Sequence, residues 1–169
     1  FKSKFFPKKF LYESCLIFTE LKLNTRIAFL WGNIYDDFDM ITKKFQDVFF
    51  YDDLSLTNNG KVSLIYFVYK DENWLGNPSF ISSGAYDKAN KCFQKSNRLR
   101  IIFFLCDIDL INFKKEIRSK YNFGKHSLHI TDTYKDTLRL AKTLLNKNSQ
   151  DFLNKNKLIN LKKSLEQNQ

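Results

Sequence analysis

Hydrophobic and polar positions change their period several times along the chain, and each change marks an element. TRIAFLWG (25–32) is a short apolar run ended by glycine, which predicts a buried strand. In YDDFDMITKKFQD (35–47), Phe38, Ile41 and Phe45 recur at helical spacing, with acids first and lysines later, the order a helix dipole favours. VFFYDDLSLT (48–57) and KVSLIYFVYKD (61–71) are rich in β-branched and aromatic residues around Asn58-Asn59-Gly60, which predicts a hairpin. WLGNPSFISSG (74–84) is punctuated as a loop, and AYDKANKCFQKS (85–96) puts Ala85, Ala89, Cys92 and Phe93 on one helical face. RLRIIFFLCDID (98–109) is a continuous apolar run suited to a sheet centre covered on both faces. A short helical turn in LINFKKEIRSKYNF follows, then a final short strand in KHSLHI. A last helix begins near Tyr134, capped by Thr131, Asp132 or Thr133, with Leu138, Ala141 and Leu145 on its buried face.

The order β-α-β-β-α-β, then one more strand and helix, predicts an α/β fold: a ferredoxin-like sandwich with a mixed sheet and helices mainly on one face. Three parts are expected: a basic aromatic arm over 1–24, extended or partly helical, a single α/β domain over 25–146, and an Asn/Lys-rich basic tail over 147–169.

A length of 169 residues with 43% hydrophobic and 17% aromatic content supplies one packed core and excludes a disordered chain. The net charge of +10 resides at the ends, since residues 1–10 carry four Lys and no acid and residues 142–169 six Lys against Asp151 and Glu166. Such ends fit docking arms for a larger assembly or parent chain, with nucleic acid the weaker partner. Cys15, Cys92 and Cys106 are odd in number and lie among apolar residues, which points to reduced thiols and a cytoplasmic location. No apolar run is long enough to span a membrane. The start at Phe1, without methionine, is read as a fragment or a processed form.

The chemistry concentrates in GKHSLHITDTYKDTLRLAKTLLN (124–146). Phosphoryl chemistry needs a neutral imidazole and fixed positive groups that hold the phosphate oxygens in line. His129 is the candidate nucleophile. Arg118 and Lys125 are candidate phosphate clamps, and Thr131, Asp132 and Thr133 stand where a helix start attracts an anion. His126 supports His129, although on a regular strand the two would point to different sides. The plain structural alternative is a helix cap worth about 1 kcal/mol.

These residues carry a resemblance. IRSKYNFGKHSLHITDTYKDTLRLAKTLL resembles the C-terminal signature of nucleoside diphosphate kinases, with an Ile-Arg pair, a Gly-basic lead-in, a histidine, then hydroxyl-Asp-hydroxyl and an amphipathic helix. The resemblance implies that His129 is the phosphorylated histidine, that Arg118 binds phosphate, and that Thr131, Asp132 and Thr133 support the ring. It also implies a ferredoxin-like fold and a nucleotide ligand accompanied by Mg2+ or Mn2+. It covers about 30 of the 169 residues, and Ile130 and His126 stand where the signature has Gly and Asn. The opening strand lacks the family's Lys-Pro-Asp-Gly. The block is also similar to a segment of uncharacterised bacterial envelope-polysaccharide proteins.

Two other classes follow from the sequence. Asp107 and Asp109 form an Asp-x-Asp after an apolar strand, where nucleotide-sugar transferases hold a divalent metal, so a metal-dependent glycosyltransferase of envelope polysaccharide synthesis is the alternative. The last is a noncatalytic interaction module of a larger assembly. The remaining acidic groups, Asp36-Asp37 with Asp39 and Asp52-Asp53, are expected at the surface.

Overall fold

The computed structural model describes residues 7–77 and 83–155. Helix α1 (Lys8–Leu21) follows Pro7 and buries Tyr12, Cys15 and Thr19 along one stripe. Strand β1 (Thr25–Leu30) leads through a 3-10 turn into α2 (Phe38–Thr42) and then β2 (Val48–Ser55). Two helices, α3 (Asn58–Val68) and α4 (Gly84–Cys92), precede β3 (Arg98–Leu105). Helix α5 (Ile111–Ser119), the short strand β4 (Leu128–Ile130), α6 (Tyr134–Leu144) and α7 (Lys147–Lys155) complete the described chain. The arm and tail expected at the ends therefore include packed helices, while residues 1–6 and 156–169 lie outside the described residues.

The four strands form one sheet in the order β2-β3-β1-β4, and every neighbouring pair is antiparallel. This corrects the expected mixed sheet. Each crossover carries the chain back over one strand position, so β1 and β2 run one way while β3 and β4 run the other. Of the helices packed on the sheet, four cover one face and two the other. The physical cause is that β1 and β3 are apolar on both sides. Ile27, Phe29, Trp31, Leu99, Ile101 and Phe103 pack beneath α1, α3, α4 and α6. Ala28, Leu30, Ile102, Phe104, Leu128 and Ile130 pack against α2 and α5.

The hairpin expected around Asn58-Asn59-Gly60 is a helix instead. The Thr57 hydroxyl accepts from the Gly60 amide at 3.0 Å, so these residues form the capped first turn of α3. Asn154 on α7 accepts from the Thr57 amide at 3.0 Å, closing the cap from outside. Burial of Val62, Leu64, Ile65 and Val68 against the sheet outweighs the strand preference of KVSLIYFV. The partner of β2 is accordingly β3, with Asp52 opposite Ile101 and Leu54 opposite Leu99.

The acidic pairs also hold the fold. Arg100, 4% exposed in the middle of the sheet, donates to both oxygens of Asp53 at 2.6 and 2.9 Å and to Asp39 at 2.7 Å. Its guanidinium lies between the rings of Phe38 and Tyr51. Such pairing is what makes a buried cation tolerable. Tyr12 donates to Asp52 at 2.6 Å and Tyr121 to Asp37 at 2.8 Å. Cys15 and Cys92 are buried with free thiols, and burial pushes Cys92 up to about 12.

Gly32 closes β1 beneath the Ser96–Arg98 backbone. A Cβ there would stand 2.0 Å from the Ser96 carbonyl oxygen and 3.0 Å from that of Arg98. Gly32→Ala is expected to cost about 2 kcal/mol through forced backbone displacement, read as a lower urea midpoint at unchanged slope.

Candidate functional site

The site is assembled around β4, a three-residue edge strand. Its placement relies on polar bonds at both ends. The Trp31 amide donates to Ser127 O at 3.0 Å, and the Thr131 amide donates to Ile27 O at 3.0 Å. The Ile27 amide in turn donates to the Thr131 hydroxyl at 3.0 Å, and that hydroxyl also meets Thr137 at 2.7 Å. Thr131 is thus engaged in joining β1, β4 and α6. Arg118 on α5 reaches across and donates to Leu128 O through Nε and Nη2 at 3.2 and 3.0 Å.

His129 points away from Leu128 and Ile130, toward the face that carries α3. Its ring lies 5.8 Å from Phe29 and 4.8 Å from Tyr69. One side of the ring still borders open clefts, so the imidazole is half-buried rather than sealed. Burial lowers it to about 3, with the cations Lys114, Arg118 and Lys88 pressing in the same direction and Asp132 against them. The ring is neutral at physiological pH.

A cleft of about 470 Å³ lies on one side of His129. The 3-10 turn Gly124–His126 bends the chain ahead of β4, so His126 and His129 line this same cleft despite their spacing. Arg118, Lys125, Lys88 and Lys91 line it as well. Lys91 is paired with Asp87 at 2.7 Å. Lys88 is different. It is 6% exposed, donates to Lys125 O at 3.3 Å, lies over the Tyr69 ring, and has no carboxylate partner among the described residues. Burial lowers its pKa, as do Lys125, Arg118 and Lys91, against the Cys92 thiol. His126 is likewise lowered, first by burial and then by Lys88, Lys125 and Lys91. Lys88, Lys91, Lys125 and Arg118 outnumber Glu72 and Asp87 in the lining, so the cleft carries a net positive charge. Trp74, 43% exposed, stands at its rim with its ring 5.2 Å from Tyr69.

None of the other residues expected at the site lines this cleft. Thr133 caps α6, accepting from the Asp136 amide at 3.1 Å and donating to the Asp136 carboxylate at 2.8 Å. Asp132 is exposed and pairs with Lys114 at 2.6 Å. These carboxylates already meet the positive end of α6, and the cationic wall comes from α4, α5 and the turn before β4. Asp107 accepts from Asn24 at 2.8 Å, and Asp109 accepts from the Ile111 amide at 2.9 Å, just ahead of α5. Among the described residues no three His, Cys, Asp or Glu side chains converge to hold a metal.

Three contributors escaped sequence reasoning: Lys88, Lys91 and Asn33. Asn33, 2% exposed, donates to Lys91 O at 2.6 Å and to His126 O at 3.0 Å, while its side-chain oxygen accepts from the Gln94 amide at 2.9 Å. It ties the end of α4 to the turn before β4, the two walls that hold Lys88 and His126. Its one sequence signal is position, as a polar residue just after a buried strand.

The chain matches no protein family, no curated protein and no solved structure. No helix among the described residues is long and apolar enough to cross a membrane.

Asn33→Ala is expected to destabilise the fold by about 2–4 kcal/mol, because three part-buried backbone partners lose their bonds. Chemical denaturation measures it, and hydrogen exchange should quicken first at the Gln94 amide, which loses its acceptor. For His129, the folded pKa of about 3 lies below the ordinary 6.5. The unfolded chain therefore binds the proton first as pH falls, and stability is lost from about pH 6.5 downward at no more than about 1.4 kcal/mol per unit. His129→Gln is expected to flatten the stability profile between pH 6.5 and 4 relative to wild type, read by urea melts across that range.

Proposed function

We propose that this chain is a phosphate- or nucleotide-binding domain of diverged nucleoside diphosphate kinase type, built on a ferredoxin-like sheet. The strand order β4-β1-β3-β2, with α2 and α5 of the two crossovers packed on one face, supports the architecture. The observation that carries the functional reading is Lys88. A lysine this buried, with none of the carboxylates of its cleft paired to it, is costly in the free protein, and an anion in the cleft supplies the missing charge.

In this reading Lys88, Lys125 and the remaining amino group of Arg118 take the phosphate oxygens. His126 lends a further donor, and Trp74 offers a face to a base. The neutral His129 ring attacks the terminal phosphorus; the bond to the bridging oxygen breaks, and its electron pair leaves with the nucleoside diphosphate. The nearby cations offset the charge that develops on the equatorial oxygens. Thr131 and Thr133, with Asp132, fix the turn from β4 into α6 and so hold the ring in place. A divalent ion would arrive with the nucleotide phosphates.

Lys88→Met is expected to weaken pyrophosphate and nucleoside diphosphate binding at least tenfold in calorimetric titration. The melting temperature of the free variant should stay level or rise, since no carboxylate is left unpaired. Unchanged affinity would end the reading. Incubation with labelled ATP and Mg2+ should leave an acid-labile, base-stable phosphate that is absent in His129→Ala; labelling retained in that variant removes His129 as the acceptor.

A further inference from the structure

The cleft continues past His129. A second lobe of about 320 Å³ opens on the far side of the imidazole, toward α6, and shares Tyr69, Glu72, Arg118 and His129 with the first. Its chemistry differs. Lys114 is already paired with Asp132 at 2.6 Å, and Arg139 with Asp136 at 3.5 Å and with Phe67 O at 2.6 Å. Lys70, Asp71, Glu72 and Arg118 also line it, so four carboxylates stand among four cations and an anion gains no net attraction there. Hydroxyl groups suit such a lining better, because they can donate to the Asp132 and Asp136 carboxylates and accept from Arg139. The opposite end of the trough is aromatic. Trp74 lies 5.2 Å from Tyr69, which lies 4.8 Å from His129, so the three rings form a row leading from the rim to the junction of the lobes. The trough thus joins a lobe with an aromatic rim and a cationic wall to a second, charge-balanced polar lobe.

From that arrangement we infer that the trough takes a nucleoside diphosphate joined to an uncharged, hydroxyl-rich group. The base lies on Trp74, the diphosphate among Lys88, Lys125, Arg118 and His126, and the hydroxyl-rich group in the second lobe against Asp132, Asp136 and Arg139. The inference rests on the phosphate-binding reading and adds the hydroxyl-rich part to it. The two lobes together are of the size that ligand clefts commonly have.

Calorimetric titration of the full chain with UDP, ADP and GDP, and with UDP-glucose, ADP-glucose and GDP-mannose, tests it. At least one conjugate should bind about tenfold tighter than its parent diphosphate. That ratio should fall to about one in Asp132→Ala or Arg139→Ala, whereas Trp74→Ala should weaken conjugate and parent alike. Parents that bind in a Lys88-dependent way while no conjugate binds more tightly would overturn the second-lobe inference and leave the phosphate site standing. A conjugate advantage untouched by both second-lobe variants overturns it equally. No binding of any diphosphate would overturn both readings.

Discussion

A buried primary amide has two donors and one acceptor to satisfy, and Asn33 satisfies all three on backbone groups from two distant parts of the chain. It stands directly after Gly32, whose missing side chain lets the end of β1 pass beneath the Ser96–Arg98 backbone. Without that close approach the amide could not reach Lys91 O and Gln94 N on one side and His126 O on the other. The cationic wall of α4 and the histidine turn before β4 are therefore referenced to the same residue. Geometry at the cleft depends on this clamp more than on any charged contact.

Dense surroundings have two effects at once. They keep the imidazole of His129 neutral, and they leave Lys88 with a charge that the protein itself does not match. On the other side of the sheet Arg100 is equally buried, but Asp53 and Asp39 meet it at short range. The contrast separates a cation that organises the core from one that faces an opening. Both are costly alone; only the first is compensated internally.

Much of the fold is legible in the sequence where pattern and burial agree. RLRIIFFL is apolar on both faces and becomes a central strand, and Thr133 begins α6 as its cap. KVSLIYFV misleads because its β-branched and aromatic residues suit a strand, yet a Thr57 cap and packing under α7 make it helical. Within the site, His126, His129, Arg118 and Lys125 were legible because they are close in sequence. Lys88 and Lys91 were not, since α4 brings them in from far upstream and an isolated lysine on a polar helix face carries no local signal. Thr131 and Asp109 show the converse. Polar residues at element ends that read as ligands for a substrate each have a side-chain oxygen that accepts from a backbone amide.

The sheet order imposes a schedule on synthesis. β1 is completed early, yet Thr25 pairs with Leu105 and Ala28 with Ile130, so its two partners emerge about 80 and 100 residues later. At about 5–20 residues per second, TRIAFL waits on the order of several seconds as a sticky strand with both edges open. The growing chain must meanwhile shelter that segment by other means, and α1, made just before it and already carrying an apolar stripe, is the nearest cover.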